Sequence, residues 1–303
     1  MRYNVTPASG DPSDVIQHFQ NVRLNIHCCR YWKLKHWKHQ RLSFPFWRLY
    51  WNKNHGAYIY YENEVNLEPS HIILIPPNTP FSTDIRGSAN TPGTVNRLEG
   101  GWIHQDDDED KLIRQGYILH FFIHFNLGYP FDGINPGIYL MKINEDQLEV
   151  IRRTMCILKK EMSEFGINES LDLNRLIITS ISSLNDKLWR YPSINKKVFE
   201  TITYMNRHLK KKLTNKELAA LSNMSANSFA RLFRQETGFP PQRYLTKIRI
   251  EHACNLMHHS NLTINEIADY SGFSDRYYFT KVFNSLMSVS PAKYRKQVLL
   301  RRE

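Results

Sequence analysis

Between Leu213 and Tyr294 the sequence repeats itself. Leu213-Thr214 matches Leu262-Thr263, Glu217-Leu218-Ala219 matches Glu266-Ile267-Ala268, and Ser222 and Ser225 match Ser271 and Ser274, all at an offset of 49. The second copy then carries one extra residue, after which Phe229, Phe233, Pro241 and Tyr244 match Phe279, Phe283, Pro291 and Tyr294. Ordered agreement of this kind constrains the fold more than any single motif, because each copy has to build the same small unit.

Each copy reads as helix, tight turn, helix. Thr214 with Glu217, and Thr263 with Glu266, have the T-x-x-E spacing of a capping box that starts a helix. Leu218, Ala219 and Leu221 are the expected apolar face of the first helix, and its small alanine lets the second helix approach closely. Asn223 and Gly272 stand where the turn needs positive φ. In the second helices, a 100° step per residue puts Phe229, Leu232 and Phe233 on one stripe, and Phe279, Val282, Phe283 and Leu286 on its counterpart. Tyr278 falls at the edge of that stripe and is expected to pack. Asn227, Ala230, Arg231 and Arg234 face away in the first copy, and Arg276, Tyr277, Thr280 and Lys281 in the second. Arginine and lysine can donate to guanine, asparagine can pair with adenine, and alanine or a threonine methyl can meet the thymine methyl. These eight residues are the expected DNA-reading set.

Charge points the same way. Residues 1–190 hold 21 Lys+Arg against 21 Asp+Glu, whereas residues 191–303 hold 19 against 8, so the whole excess of +11 lies at the C-terminal end. A neutral half followed by a basic one fits a partner that is a polyanion.

With these residues in place, the region 196–296 resembles the DNA-binding domain of AraC/XylS-family transcription regulators. The resemblance is carried by ELAALSNMSANSFARLFRQETGFPPQRYL, RIEHACNLM (Arg249–Met257), INEIADYSGFSDRYYFTKVF and SPAKYR (Ser290–Arg295). It implies two helix-turn-helix units, about 214–235 and 263–286, joined by a long helix over about Pro241–His258, with recognition helices in successive major grooves of a double-stranded DNA operator. Two places depart from the family pattern: Asn223-Met224 replaces a Gly-Phe-like turn, and Met287-Ser288 replaces the Thr-Gly seen at Thr237-Gly238.

Upstream, short β-branched and aromatic runs separated by Asn, Gly and Pro predict an antiparallel barrel or sandwich over about 20–143. Glu64–Phe81 and the LHFFIHF strand resemble the cupin-like sensor domain that many such regulators carry. Alternation places Arg48 and Tyr50 opposite Trp47 and Trp51, and puts His120, Phe122 and His124 on one face; if inward, these five would bind a polar small-molecule effector, a sugar among them. For each histidine alone, a structural role is the stronger reading. The two-histidine metal motif of cupins is broken at His55-Gly56-Ala57, and His120 and His124 stand roughly 13 Å apart along a strand, too far to share an ion. No metal, cofactor or catalytic residue is therefore expected. The basic, aromatic segment Cys28–Gln40 is read as leading into the barrel, not as a single-strand binder. The acidic run Gln105–Asp110 is read as a solvated loop, with contact to the basic half as the weaker alternative.

From Asn144 the period changes: Leu148, Ile151, Met155, Leu158, Met162 and Phe165 form the seam of an amphipathic helix, and a second helix is expected over about Ser170–Trp189. The seam either packs on its own barrel or forms a dimer contact, and the dimer contact is the expectation. Arg190–Lys197 reads as a linker. Four cysteines (Cys28, Cys29, Cys156, Cys254) without C-x-x-C spacing fit a reducing compartment. The polar N-terminus is unlike a signal peptide, and no run is apolar enough to span a bilayer. The expected protein is an α+β multidomain, cytoplasmic, nucleoid-associated regulator: a cupin-like β-barrel sensor (1–143), a helical linker and dimerisation region (144–192), and an all-α tandem helix-turn-helix domain (193–303). Its expected partners are operator DNA, a small effector, a second copy of itself and, as an activator, RNA polymerase, with no membrane. A cupin-type enzyme with an accessory DNA-binding module and a constitutive architectural DNA binder are the alternatives.

Overall fold

The computed structural model describes residues 22–85, 97–128, 131–160, 164–189, 195–287 and 289–299. The N-terminal half is one antiparallel sheet of nine strands: β1 (Asn25–Leu42), β2 (Trp47–Asn52), β3 (Ala57–Tyr60), β4 (Glu64–Asn66), β5 (His71–Ile75), β6 (Phe81–Ile85), β7 (Arg97–Trp102), β8 (Ile118–Asn126) and β9 (Tyr139–Lys142). Their order is β4-β3-β6-β1-β8-β2-β5-β9, with β7 also paired to β1. The long β1 serves β6, β7 and β8 because its register slips between Ile26 and Cys28, between Leu34 and His36, and between His39 and Leu42. Each slip sharpens the local twist and curls the sheet into a half-barrel. The strand order ends on β4 and β9, so the expected barrel is an open one.

Strict alternation sorts the side chains onto two faces. Trp47, Leu49 and Trp51 of β2 share the outer face with Leu119, Phe121, Ile123 and Phe125 of β8. Arg48, Tyr50 and Asn52 therefore share the concave face with His124, Phe122 and His120, their respective partners across the strand pair. Two helices cover the outer face. The first, after α1 (Glu109–Arg114), is α2 (Glu145–Leu158), started by a reciprocal capping box between Asn144 and Gln147; the other is α3 (Ile167–Ser182). Ile151, Met155 and Leu158 of α2 pack in one layer with Leu173, Leu176 and Ile177 of α3 and the outer side chains of the sheet. This corrects the expected dimer seam: those α2 residues are buried within the chain because the outer sheet face, rich in Trp and Phe, has to be covered. Met162 and most of the expected linker lie outside the described residues.

The acidic run keeps its expected, largely exposed loop character over Gln105–Asp108 and then enters α1. Asp108 caps α1 by accepting from Lys111 N, and Glu109 and Asp110 sit at the helix's positive end. Asp107 pairs with Lys33 at 3.0 Å, and Glu109 is held by Lys53 and Lys159. Two of the run's five carboxylates, Asp107 and Glu109, are thus held by lysines of the N-terminal half.

The C-terminal half is helical: α4 (Lys196–Arg207), α5 (Asn215–Ala220), α6 (Ala226–Thr237), α7 (Pro241–His259), α8 (Ile264–Tyr270), α9 (Arg276–Met287) and α10 (Pro291–Leu299). Val198 and Ile202 of α4 join Leu218, Ala219, Phe229, Phe233 and Leu245 in the core of the first copy. Ile267, Ala268, Phe279, Phe283 and Tyr294 form the second around Cys254 and Met257 of α7. This second core runs on into the concave face of the half-barrel through Phe44 and Phe46, which lie 4.7 and 5.1 Å from the His258 ring.

Candidate nucleic-acid interface and the half-barrel beside it

Both helix-turn-helix units are built as their sequence spacing demands. Thr214 Oγ1 accepts from Glu217 N while the Glu217 carboxylate accepts from Thr214 N at 2.7 Å, and Thr263 with Glu266 repeats both bonds. The backbone bonds from Thr214 and Thr263 hold those two carboxyls below the ordinary glutamate value. The turns follow at Asn223 (φ 50°) and Gly272 (φ 81°). At Gly272 a Cβ would lie 1.9 Å from the Leu209 carbonyl oxygen, so steric room as well as the left-handed backbone requires glycine. Ser225 and Asp275 then start the second helices, accepting from Ser228 N and from Tyr278 N at 3.2 and 2.7 Å.

Phe229, Phe233, Phe279 and Phe283 anchor α6 and α9 inward. Asn227, Arg231 and Arg234 are exposed on α6 with Ala230 partly covered, while Arg276, Tyr277 and Lys281 are exposed on α9 with Thr280 partly covered. Tyr277 is 87% exposed, and its neighbour Tyr278, expected to pack, is 52% exposed with its ring 6.1 Å from Phe273. Leu221 and Leu286, both expected on apolar stripes, are exposed as well. Each lies near a helix end, where neighbouring elements no longer reach around to cover the stripe.

The connecting helix α7 spans 19 residues, about 28 Å at 1.5 Å per residue. It packs against helices of both units. Arg249 donates to the carbonyls of Leu209 and Lys211 in the first unit, at 3.0 and 2.7 Å. Lys210 bridges to Asp269 of the second at 3.0 Å.

The five residues expected to bind an effector are brought together on the concave face, where Tyr50, His120, Phe122 and His124 pack on one another and Arg48 packs on neighbouring phenylalanines. The Arg48 guanidinium stacks on Phe44 at 3.9 Å and on Phe46 at 4.6 Å. Tyr50 meets the His120 ring edge-on at 4.7 Å, and Phe122 lies between His120 and His124 at 5.3 and 5.0 Å. His120 Nδ1 donates to Asn52 Oδ1 at 2.6 Å, and burial pushes its pKa down to about 3. His120 is therefore neutral at physiological pH and serves as a core hydrogen-bond group.

Open volume lies instead between the two halves. A cleft of about 1090 Å³ has Phe44, Leu98, Ile250 and Val282 among its apolar walls, with Lys247 and Lys281 among its cations. Tyr278 lines it too, which accounts for the exposure that the α9 periodicity did not predict. The sequence offered no signal for this cleft, since its walls come from both halves of the chain. Among the described residues no helix is long and apolar enough to cross a membrane.

A family model described as a helix-turn-helix domain matches residues 218–297. The MmsAB operon regulatory protein of Pseudomonas aeruginosa is 34% identical over 95 residues, 31% of each chain. The transcriptional activator RhaS of Escherichia coli O157:H7 is 25% identical over 169 residues, 54% of this chain and 59% of RhaS, so the chain spans less than two thirds of either relative. The solved structure of ToxT from Vibrio cholerae aligns over 92% of this chain and 99% of its own at 14% identity and a TM-score of 0.45. The matched profile, the doubled capping boxes and the ordered motifs all fall on the same helices, and residues 218–297 form a helix-turn-helix domain.

Proposed function

We propose that the chain is a sequence-specific DNA-binding transcription regulator whose two recognition helices, α6 and α9, read successive major grooves. The observation that carries this is the pair of repeated units, each with a capped first helix, a positive-φ turn and an outward face of base-compatible side chains. Asn227, Ala230, Arg231, Arg276, Tyr277, Thr280 and Lys281 would reach base edges or flanking phosphates, and Arg234 would hold the backbone. Basic surface elsewhere in the domain supplies salt-dependent affinity without sequence preference.

A small effector would act from the cleft between the halves. Lys281 belongs both to the expected reading face and to the wall of that cleft, so a ligand there changes which groups α9 offers to DNA. Its apolar walls and cations fit a ligand with an apolar body and a negative charge better than a sugar. A homodimer would form through α3, where Ile167, Leu171 and Ile178 lie on one side of the helix, each more than half exposed. By its resemblance to activators such as RhaS, the protein would act together with RNA polymerase.

The test is selection of bound sequences from a random DNA pool, repeated with Arg231→Ala and Lys281→Ala. The expected result is an asymmetric site with two half-sites about one helical turn apart, each variant losing preference in one half-site by about 1–3 kcal/mol per base contact. Identical preferences for both variants and the parent chain would remove α6 and α9 as the reading elements.

A further inference from the structure

Cys28, His124 and His259 come together where the half-barrel meets the helical domain. Cys28 on β1 lies directly across from His124 on β8, and His259 is the last residue of α7. One ligand-capable atom from each, the Cys28 Sγ and an imidazole nitrogen of each histidine, all lie within 4.8 Å of one another. His124 is buried, and the other two are half-buried.

The register slip in β1 is what brings the thiol into this group. Ile26 packs on the outer layer, and simple alternation would send Cys28 outward with it. The extra residue, His27, reverses the parity and turns Cys28 onto the concave face beside His124. Ring packing then sets the approach of the third residue. His259 stacks on His27 at 5.2 Å with planes 7° apart, and meets Phe46 and His124 edge-on at 5.2 and 5.4 Å. Asn255, one turn earlier on α7, reaches Asn126 of β8 at 3.4 Å, which fixes the same helix end to the same strand.

One thiolate and two imidazoles make a donor set that suits ions of zinc type, softer than magnesium or calcium. Tetrahedral zinc, with Zn–S of about 2.3 Å and Zn–N of about 2.1 Å, needs its ligand atoms about 3.5 Å apart. Atoms already within 4.8 Å reach that spacing by side-chain rotation. We propose that Cys28, His124 and His259 form a binding site for a divalent transition-metal ion of zinc type, bridging the half-barrel and the end of α7. Three protein ligands leave a fourth position for water or a small anion. Binding releases the Cys28 thiol proton to solvent. Two ligands belong to the sheet and one to α7, so the ion favours the arrangement in which the two halves are docked.

The experiment uses the full-length protein, reduced and stripped with a chelator, and titrates it with Co²⁺. The expected result is uptake of one ion per chain with a thiolate-to-cobalt charge-transfer band and the visible bands of a four-coordinate ion, all bleached by Zn²⁺. Cys28→Ser should abolish the charge-transfer band and weaken Zn²⁺ binding on the order of 100-fold. His259→Gln should weaken it comparably and remove the Zn²⁺-dependent slowing of hydrogen exchange in the last turn of α7. Cys156→Ser, at an exposed cysteine of α2, should behave as the parent. No stoichiometric uptake by the parent chain, or a charge-transfer band that survives Cys28→Ser, overturns the site. Should circular dichroism show Cys28→Ser to be unfolded, His259→Gln decides, and unaltered binding there overturns it equally. Uptake of Cu⁺ with refusal of both Co²⁺ and Zn²⁺ overturns the zinc-type assignment. None of these outcomes depends on DNA binding.

Discussion

The neutral, buried His120 makes a quantitative prediction about acid stability. Its folded pKa lies at about 3 because burial disfavours the imidazolium, against 6.5 for an ordinary histidine. The sign follows from proton binding: between those two values the unfolded chain takes up a proton that the folded chain refuses. Stability is therefore complete above pH 6.5 and is lost as the pH falls toward 3. At pH 5.5 this one group should cost about RT ln 11, about 1.4 kcal/mol, and at pH 4.5 about 2.7 kcal/mol. His120→Gln keeps a donor for Asn52 Oδ1 and removes the titration. The assay is urea unfolding of parent and variant at pH 7.5, 5.5 and 4.5. His27 and His252, also lowered by burial, contribute to both proteins and cancel in the difference. The stability gap between parent and variant should narrow by the amounts given as the pH falls. A gap that stays constant across the series would mean that His120 is charged in the folded protein, or hydrated, and would refute the reading of the concave face as a dry core.

Other perturbations test the remaining architecture. Leu171→Glu with Ile178→Glu on α3 should leave the melting temperature within a degree or two and convert any dimer to monomer by sedimentation; an unchanged sedimentation coefficient would place the dimer contact elsewhere. Phe279→Ala removes a fully buried ring from the second helix-turn-helix core and should cost about 3–5 kcal/mol in chemical denaturation. Gly272→Ala should destabilise by more than about 1 kcal/mol, since its Cβ would strike the Leu209 carbonyl, whereas Asn223→Gly at the equivalent turn should be within a few tenths of neutral. Equal effects at these two turns would contradict the close approach at Gly272.

How much of this was legible in the residues alone differs between the halves. The second half announced itself because its information is local. Capping boxes, a turn that needs positive φ and a 3.6-residue stripe all lie within a few residues of each other, and α7 ends one residue from the predicted position. Facing residues on β2 and β8 were also readable, since alternation is local too. What was missed came from partners distant in the chain. The period of α2 showed that a face is buried, and only the tertiary arrangement shows that the sheet, not a second subunit, covers it. The run Gln105–Asp110 was dominated by its charge, which hid an N-cap at Asp108 and the lysine partners Lys33 on β1 and Lys159 just beyond α2. Tyr278 was misplaced because the helix wheel knows nothing of a cleft opening beside it. Cys28, His124 and His259 share no sequence spacing, and one register slip in β1 decides whether they meet.

A chain of two parts usually allows each to be cut out and studied alone. Here Ile250, Ala253, Cys254 and Met257 of α7 belong to the same apolar cluster as Leu34, Phe44, Phe46 and Tyr50 of the half-barrel. Separation would bare oily surface on both fragments. A C-terminal fragment beginning at α4 should thus be less soluble than the intact protein, and its partner fragment should aggregate. In the intact chain, heat or urea should melt sheet and helices in a single transition.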